Sequence, residues 1–225
     1  MKKKLDTYRG RLNASQVTAG INAAADNANR LAEDASMLLE AGRFPTAASI
    51  AILSIEESGK VSILRSLSVA VDKKEVLSAW KDYRSHVKKN VAWILPQLVA
   101  NGARKLADLM PLFRNDSDHP YVLDQLKQLG FYTDCLGKVH WSIPNEVIDE
   151  QLARMLVQTA KILAKSKKIR EREIELWIKH IGPVWRKDPA WMKQALINWY
   201  DEMQQQGLAT EGKNEMQQFI RNGIE

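Results

Sequence analysis

The sequence predicts an all-α protein, an antiparallel helical bundle with a C-terminal helical extension. Three observations predict it. Apolar residues recur at steps of three and four over long stretches. Only 11 Gly and 7 Pro punctuate 225 residues, which favours long helices. One stretch, residues 45–71, is apolar around almost its whole circumference, the mark of a buried central helix.

The first helix is predicted over 13–40. Val17, Ile21, Ala24, Ala28, Leu31, Ala35, Leu38 and Leu39 form its stripe, and Gly42 sits in the C-terminal capping position. The central helix follows after three residues, so the two form an antiparallel hairpin. Pro45 suits its first turn, where a missing N–H is unpaired anyway. A third helix is predicted over 74–100, with a kink or end at Pro96. Residues 103–112 read as a short helix and 113–120 as a loop, since Asn, Asp, Ser and Pro cluster there. A helix over 121–129 ends at Gly130. Residues 131–144 read as an extended excursion turning at Gly137, and Pro144 opens a helix to about 166. Three tryptophan-rich amphipathic pieces, 173–181, 183–206 and 211–222, close the chain. The expected organisation is a flexible arm (1–12), a helical bundle (13–166) and a helical extension (167–225).

Composition narrows the function classes. The single cysteine, Cys135, excludes an internal disulfide and a cysteine cluster for zinc, and fits a cytoplasmic protein. No apolar run spans a membrane, and the basic start lacks the apolar segment of a signal peptide. The net charge is +6, and between Lys73 and Lys105 eight Lys or Arg face two acids. Such a stripe suits phosphate-bearing partners, although a charge run by itself is often only a solvated helix face. Residues 207–213, GLATEGK, satisfy the spacing of a phosphate loop. They lack its Ser or Thr and its preceding strand, so that reading is rejected.

Two clusters stand out. The central helix carries Glu56, Glu57, Ser58, Gly59 and Lys60 in apolar surroundings, where charges are costly unless paired or used. The next helix carries Arg84, His86, Lys89 and Asn90, with Tyr83 one turn earlier. A histidine beside cations can move a proton and stabilise a phosphorane, which is what metal-free RNA cleavage requires. A buried ion pair and a satisfied core histidine would explain the same residues. His140 and His180 read as structural.

The run RLAEDASMLLEAGRFPTAASIAILSIEESGKV, then DYRSHVKKN, then LKQLGFYTDCLGKVHWSIP resembles the AbiV family of abortive-infection proteins, within the larger HEPN group. The resemblance covers about Asn29 to Trp199. It implies a HEPN-like bundle, usually dimeric, and antiphage defence by shutting down translation. HEPN proteins are often metal-independent ribonucleases with an Arg-x(four to six)-His motif. Carried over by position, Glu57 and Lys60 match the Gly-Lys motif, and Arg84, His86, Lys89 and Asn90 match the histidine cluster. Lys127, Tyr132 and Asp134 match the Tyr-x-Asp segment and are expected to bind substrate. In the expected site His86 is acid or base, Arg84 and Lys89 hold the scissile phosphate, and Glu57 orients a cation. Arg84 and His86 are one residue apart. Arg114 and His119 have the ribonuclease spacing and form the alternative catalytic pair. No metal or cofactor is expected. Expected partners are RNA or the ribosome, a second copy of the chain, and a phage-encoded activator protein. The competing reading is a non-catalytic module that blocks translation by occupying RNA, the ribosome or a phage protein. A third reading has the tryptophan-rich C-terminal helices dock a second protein.

Overall fold

The computed structural model describes residues 6–114, 117–165 and 167–223. The fold is all-α apart from one small hairpin. Helix α1 (Ala14–Glu40) opens with Asn13, whose side chain accepts from the Gln16 backbone N–H while Gln16 reaches back. This reciprocal cap satisfies two otherwise orphaned donors. Gly42 takes a left-handed φ of 69° and turns the chain into α2 (Phe44–Ser68).

Helix α2 is the axis of the molecule. It touches α1, α3 (Lys73–Arg84), α4 (His86–Lys89), α6 (His119–Phe131), α8 (Glu150–Ala164) and α9 (Glu171–Ile181). Its first half packs on α1 through alanines, Ala47, Ala48 and Ala51 against Ala28, Ala32 and Ala35. Small side chains let the backbones approach, and Ser54 Oγ donates to the Ala28 carbonyl at 2.7 Å. Leu123, Ile148, Leu156 and Val157 complete this core. A second core joins Val17, Ile21, Leu64, Val76 and Trp80 to Ile174 of α9.

Helix α6 lies on α2 across Gly130. A Cβ there would sit 2.2 Å from Ser49 Oγ and 2.9 Å from the Pro45 carbonyl oxygen. Gly130→Ala should therefore cost about 1–3 kcal/mol by overpacking. Ser49→Ala removes the nearer atom, so the double variant should recover part of that loss in urea denaturation. Equal stabilities of single and double variants would contradict this contact.

Several expected elements differ in detail, among them the piece expected over 183–206, which is α-helical only from Pro189. The helix expected over 74–100 is broken. Ser85 is extended, at φ −83° and ψ 126°, and its hydroxyl accepts from the Lys88 N–H to start the single turn α4. A 3-10 turn (Val91–Ile94) and α5 (Leu95–Ala100) follow, with Pro96 starting α5 rather than ending a helix. The break lets α4 lie across α2. Likewise, Pro144 opens only the turn α7 (Pro144–Val147); Ile148 is extended and buried, and Asp149 caps α8. Residues 106–113 are 3-10 rather than α-helical. Part of the expected 113–120 loop, residues 115 and 116, lies outside the described residues, and α6 starts at His119, two residues earlier than expected.

The hairpin turning at Gly137 is present as β1 (Asp134–Leu136) and β2 (His140–Ser142), antiparallel with Cys135 opposite Trp141. After α9 come α10 (Pro189–Gln205) and α11 (Glu215–Arg221). Trp177 and Trp199 pack edge to face, with centroids 5.4 Å apart, and Arg65 of α2 lies near both rings. Residues 8–11 are fastened to α3 and its entry. The Arg11 guanidinium donates to the Ala70 and Val71 carbonyls, and Trp80 Nε1 donates to the Gly10 carbonyl. Among the described residues no helix is long and apolar enough to cross a membrane.

Candidate functional site

Glu56 is the centre of the polar cluster. It occupies the same face of α2 as Ile52 and Gly59, four residues before it and three after, and is 2% exposed. Three groups converge on its carboxylate. Lys127 Nζ of α6 lies 2.5 Å from Oε1 and also 2.7 Å from Asp124 Oδ1. His86 Nδ1 lies 2.6 Å and Lys89 Nζ 3.1 Å from Oε2, both from α4. Burial pushes the Glu56 pKa up, but hydrogen bonds from Lys127 and His86 and the Lys89 charge outweigh it, so the carboxyl titrates below its ordinary value.

Gly59 makes this convergence possible. A Cβ there would lie 2.0 Å from the Lys89 carbonyl oxygen, so α4 can cross α2 only over a glycine. Asn90, fully buried, then staples α4 to α6 by donating from Nδ2 to the Pro120 carbonyl at 3.3 Å. Trp93 Nε1 adds a bond of 2.9 Å to the His119 carbonyl.

Unlike its partners, His86 faces water, with its side chain 54% exposed. A carboxylate can only accept from Nδ1–H, so in the neutral ring the lone pair is on the outer nitrogen, Nε2. A buried acid that fixes a histidine tautomer while the other nitrogen meets solvent is an arrangement suited to proton transfer.

The other expected site residues are distributed differently. Glu57 is not in the cluster; its carboxylate pairs with Lys60 at 2.5 Å, and Lys60 lies over the Tyr83 ring at 5.0 Å. The extended Ser85 removes the helical register that would have placed Tyr83 above His86. The Arg84 guanidinium donates to the Tyr8 and Trp80 carbonyls and covers the Trp80 ring at 5.1 Å. Lys89 is buried on Glu56, which commits its charge to the carboxylate rather than to a phosphate. Lys127 is likewise a buried partner of Glu56. Tyr132 and Asp134 are exposed on the hairpin segment, where Asp134 accepts from the Cys135 N–H.

Arg114 and His119 come together in a pocket of about 280 Å³ that is also lined by Val87, Lys88 and Ser117. It abuts the turn that carries His86. Both ring nitrogens of His119 are buried without a hydrogen bond of good geometry. Burial lowers its pKa, against the pull of the Leu112 backbone and the Asp118 charge. His86 therefore offers an accessible imidazole nitrogen and His119 does not.

Ligand atoms of Glu56, His86 and Asp124 lie within 4.8 Å of one another, a grouping that could hold a metal ion. The Lys127 ammonium already bridges the two carboxylates, so a metal would have to displace it.

Asp124 and Lys88 belong to this region and were not anticipated from the sequence. The three-residue spacing of Asp124 and Lys127 was the available signal for the first. Nothing in the sequence singles out Lys88 from its basic neighbours.

Comparison with known proteins gives one finding. The family model described as AbiV, of the HEPN class, matches residues 16–165. No curated protein matches, and no solved structure matches.

Proposed function

The chain belongs to the AbiV family of HEPN proteins, and from that premise we propose that it is a metal-independent endoribonuclease that stops translation during abortive infection. The observation that carries this reading is the pair of buried Glu56 and exposed His86, 2.6 Å apart. His86 Nε2 takes the proton from a ribose 2′-OH. The 2′-oxygen attacks phosphorus, and the P–O5′ bond breaks. The imidazolium returns the proton to the departing 5′-oxygen, leaving a 2′,3′-cyclic phosphate and a 5′-hydroxyl. Glu56 holds the ring in the required tautomer and stabilises its charge. Lys88, which lies on the same turn as His86 and lines the adjacent pocket, supplies positive charge for the phosphorane. The reading includes a homodimer and a phage-encoded activator as partners.

One observation favours a second reading. The Glu56 carboxylate is saturated by Lys127, Lys89 and His86, as in a purely structural staple. On that reading the protein blocks translation by occupying RNA or the ribosome.

The test is incubation of wild type and His86→Ala with total RNA or ribosomes in EDTA, with mapping of fragment ends. Cleavage by wild type is expected to leave cyclic phosphate ends and to fall at least about 100-fold in His86→Ala. Intact RNA from wild type, with translation still inhibited in an extract, would leave the occupancy reading. Cleavage by both proteins would transfer the chemistry to Arg114 and His119.

A further inference from the structure

A groove of about 580 Å³ runs along α3, lined by Arg9, Leu77, Trp80, Lys81, Arg84 and Ser85. Three of these residues are cations and none is an acid. The acids of α3 lie elsewhere: Glu75 and Asp82 line a separate pocket with Arg186, whose guanidinium is 3.4 Å from Glu75. The helix thus segregates its charges, and the basic stripe ends at Ser85, the residue before the exposed imidazole.

The groove is built rather than incidental. Arg9 is brought to it by the N-terminal arm, which Trp80 Nε1 and the Arg84 guanidinium hold through the Gly10 and Tyr8 carbonyls. Those bonds and the Trp80 ring also fix the Arg84 guanidinium in place, so little side-chain freedom is left to lose when it meets an anion. Trp80 is 8% exposed, packed edge-on between Tyr8 and Tyr83, and unavailable for stacking on a base.

We propose that this groove binds the sugar–phosphate backbone of single-stranded RNA, with Arg9, Lys81 and Arg84 on successive phosphates, and delivers the strand to His86. This rests on the ribonuclease reading above and adds the path of the substrate. A groove with three cations, one of them held in place, and a covered aromatic predicts backbone contact without base selection.

The probe is a fluorescein-labelled 2′-O-methyl oligouridylate, which lacks the attacking hydroxyl and so reports binding alone. Wild type is compared with Arg9→Ala/Lys81→Ala; both residues are exposed, and circular dichroism checks the fold. Affinity at low salt is expected to fall about tenfold, and the slope of log K against log salt to flatten by about 1.4, or 0.7 for each lost phosphate contact. A matching oligoadenylate should bind about as well. Lys81→Glu alone should weaken binding further than Lys81→Ala. Unchanged affinity and slope in these variants would overturn the proposal even if His86→Ala abolishes cleavage. Conversely, groove-dependent binding by a protein that never cuts RNA would keep the groove and remove the nuclease. Tighter groove-dependent binding to phosphatidylserine vesicles than to the oligonucleotide would overturn it in favour of a lipid surface.

Discussion

Glu56→Ala is expected to destabilise the protein by about 3–5 kcal/mol, the cost of stranding buried ammonium groups. Lys89 and Lys127 have side chains only 8% and 5% exposed, and Glu56 is the carboxylate they share. Lys127 retains Asp124, so the heavier loss falls on Lys89 and on the docking of α4. The neighbouring Glu57→Ala removes one contact, to Lys60 in the next helical turn, and should cost about 1 kcal/mol or less. Urea denaturation of the two variants side by side decides the matter. Equal losses would mean that the cluster is not organised on Glu56. Replacing Glu56 and Lys89 together by methionine should recover much of the loss, because it removes the stranded ammonium along with its partner while Lys127 keeps Asp124.

The same cluster gives stability a pH dependence of known sign. The Glu56 carboxyl titrates below its ordinary value of 4.5 in the folded protein. A group whose pKa is lowered by folding contributes its full stability above the unfolded pKa and loses it as pH falls through the folded one. With His86 replaced by Ala in both proteins, so that the imidazole does not titrate against the carboxylate, the stability gap between Glu56 and Glu56→Gln should therefore be constant near neutrality and shrink below about pH 4.5. A gap that widened on acidification would contradict the ion-pair account.

Most of the architecture was legible in the sequence because it is written in helical periodicity. The α1–α2 hairpin follows from the stripe of α1, Gly42 and Pro45, and all of these are local signals. The break at Ser85 was not legible. Residues 76–94 keep an apolar stripe, and only the tertiary approach of α4 to α2 selects an extended Ser85 over a continuous helix. That one bend moved Arg84 to the arm, left Tyr83 against Lys60, and put His86 and Lys89 on Glu56. Which of two adjacent glutamates faces inward is a matter of helical phase. Ala48, Ile52 and Gly59 share a face with Glu56, whereas Glu57 lies about 100° further round. The phase is present in the sequence, but the Gly-Lys spacing points to the other residue. Lys127, more than 70 positions away from Glu56 in sequence, could be connected to it only through the contact of α6 with α2.

Gly59→Ala separates local propensity from tertiary contact by the sign of its effect. In a helix with open space around it, exchanging glycine for alanine stabilises by about 1 kcal/mol. Here the new Cβ would meet the Lys89 carbonyl oxygen at 2.0 Å and its carbonyl carbon at 2.8 Å. These are backbone atoms and cannot rotate aside, so α4 must lift from α2. The expected net effect is a loss of about 2–3 kcal/mol, overpacking outweighing propensity. Because α4 carries both His86 and Lys89, the His86–Glu56 contact should open with it, and RNA cleavage should fall together with stability. Gly20→Ala supplies the control. It too lies in a helix, but its Cβ would meet Leu64 Cδ1 at 3.3 Å, the end of a side chain that can turn away. That variant should stay within about 1 kcal/mol of wild type with the site intact. Stabilisation by Gly59→Ala comparable to an open helix position would mean that α4 does not rest on α2, and the cluster around Glu56 would have no support.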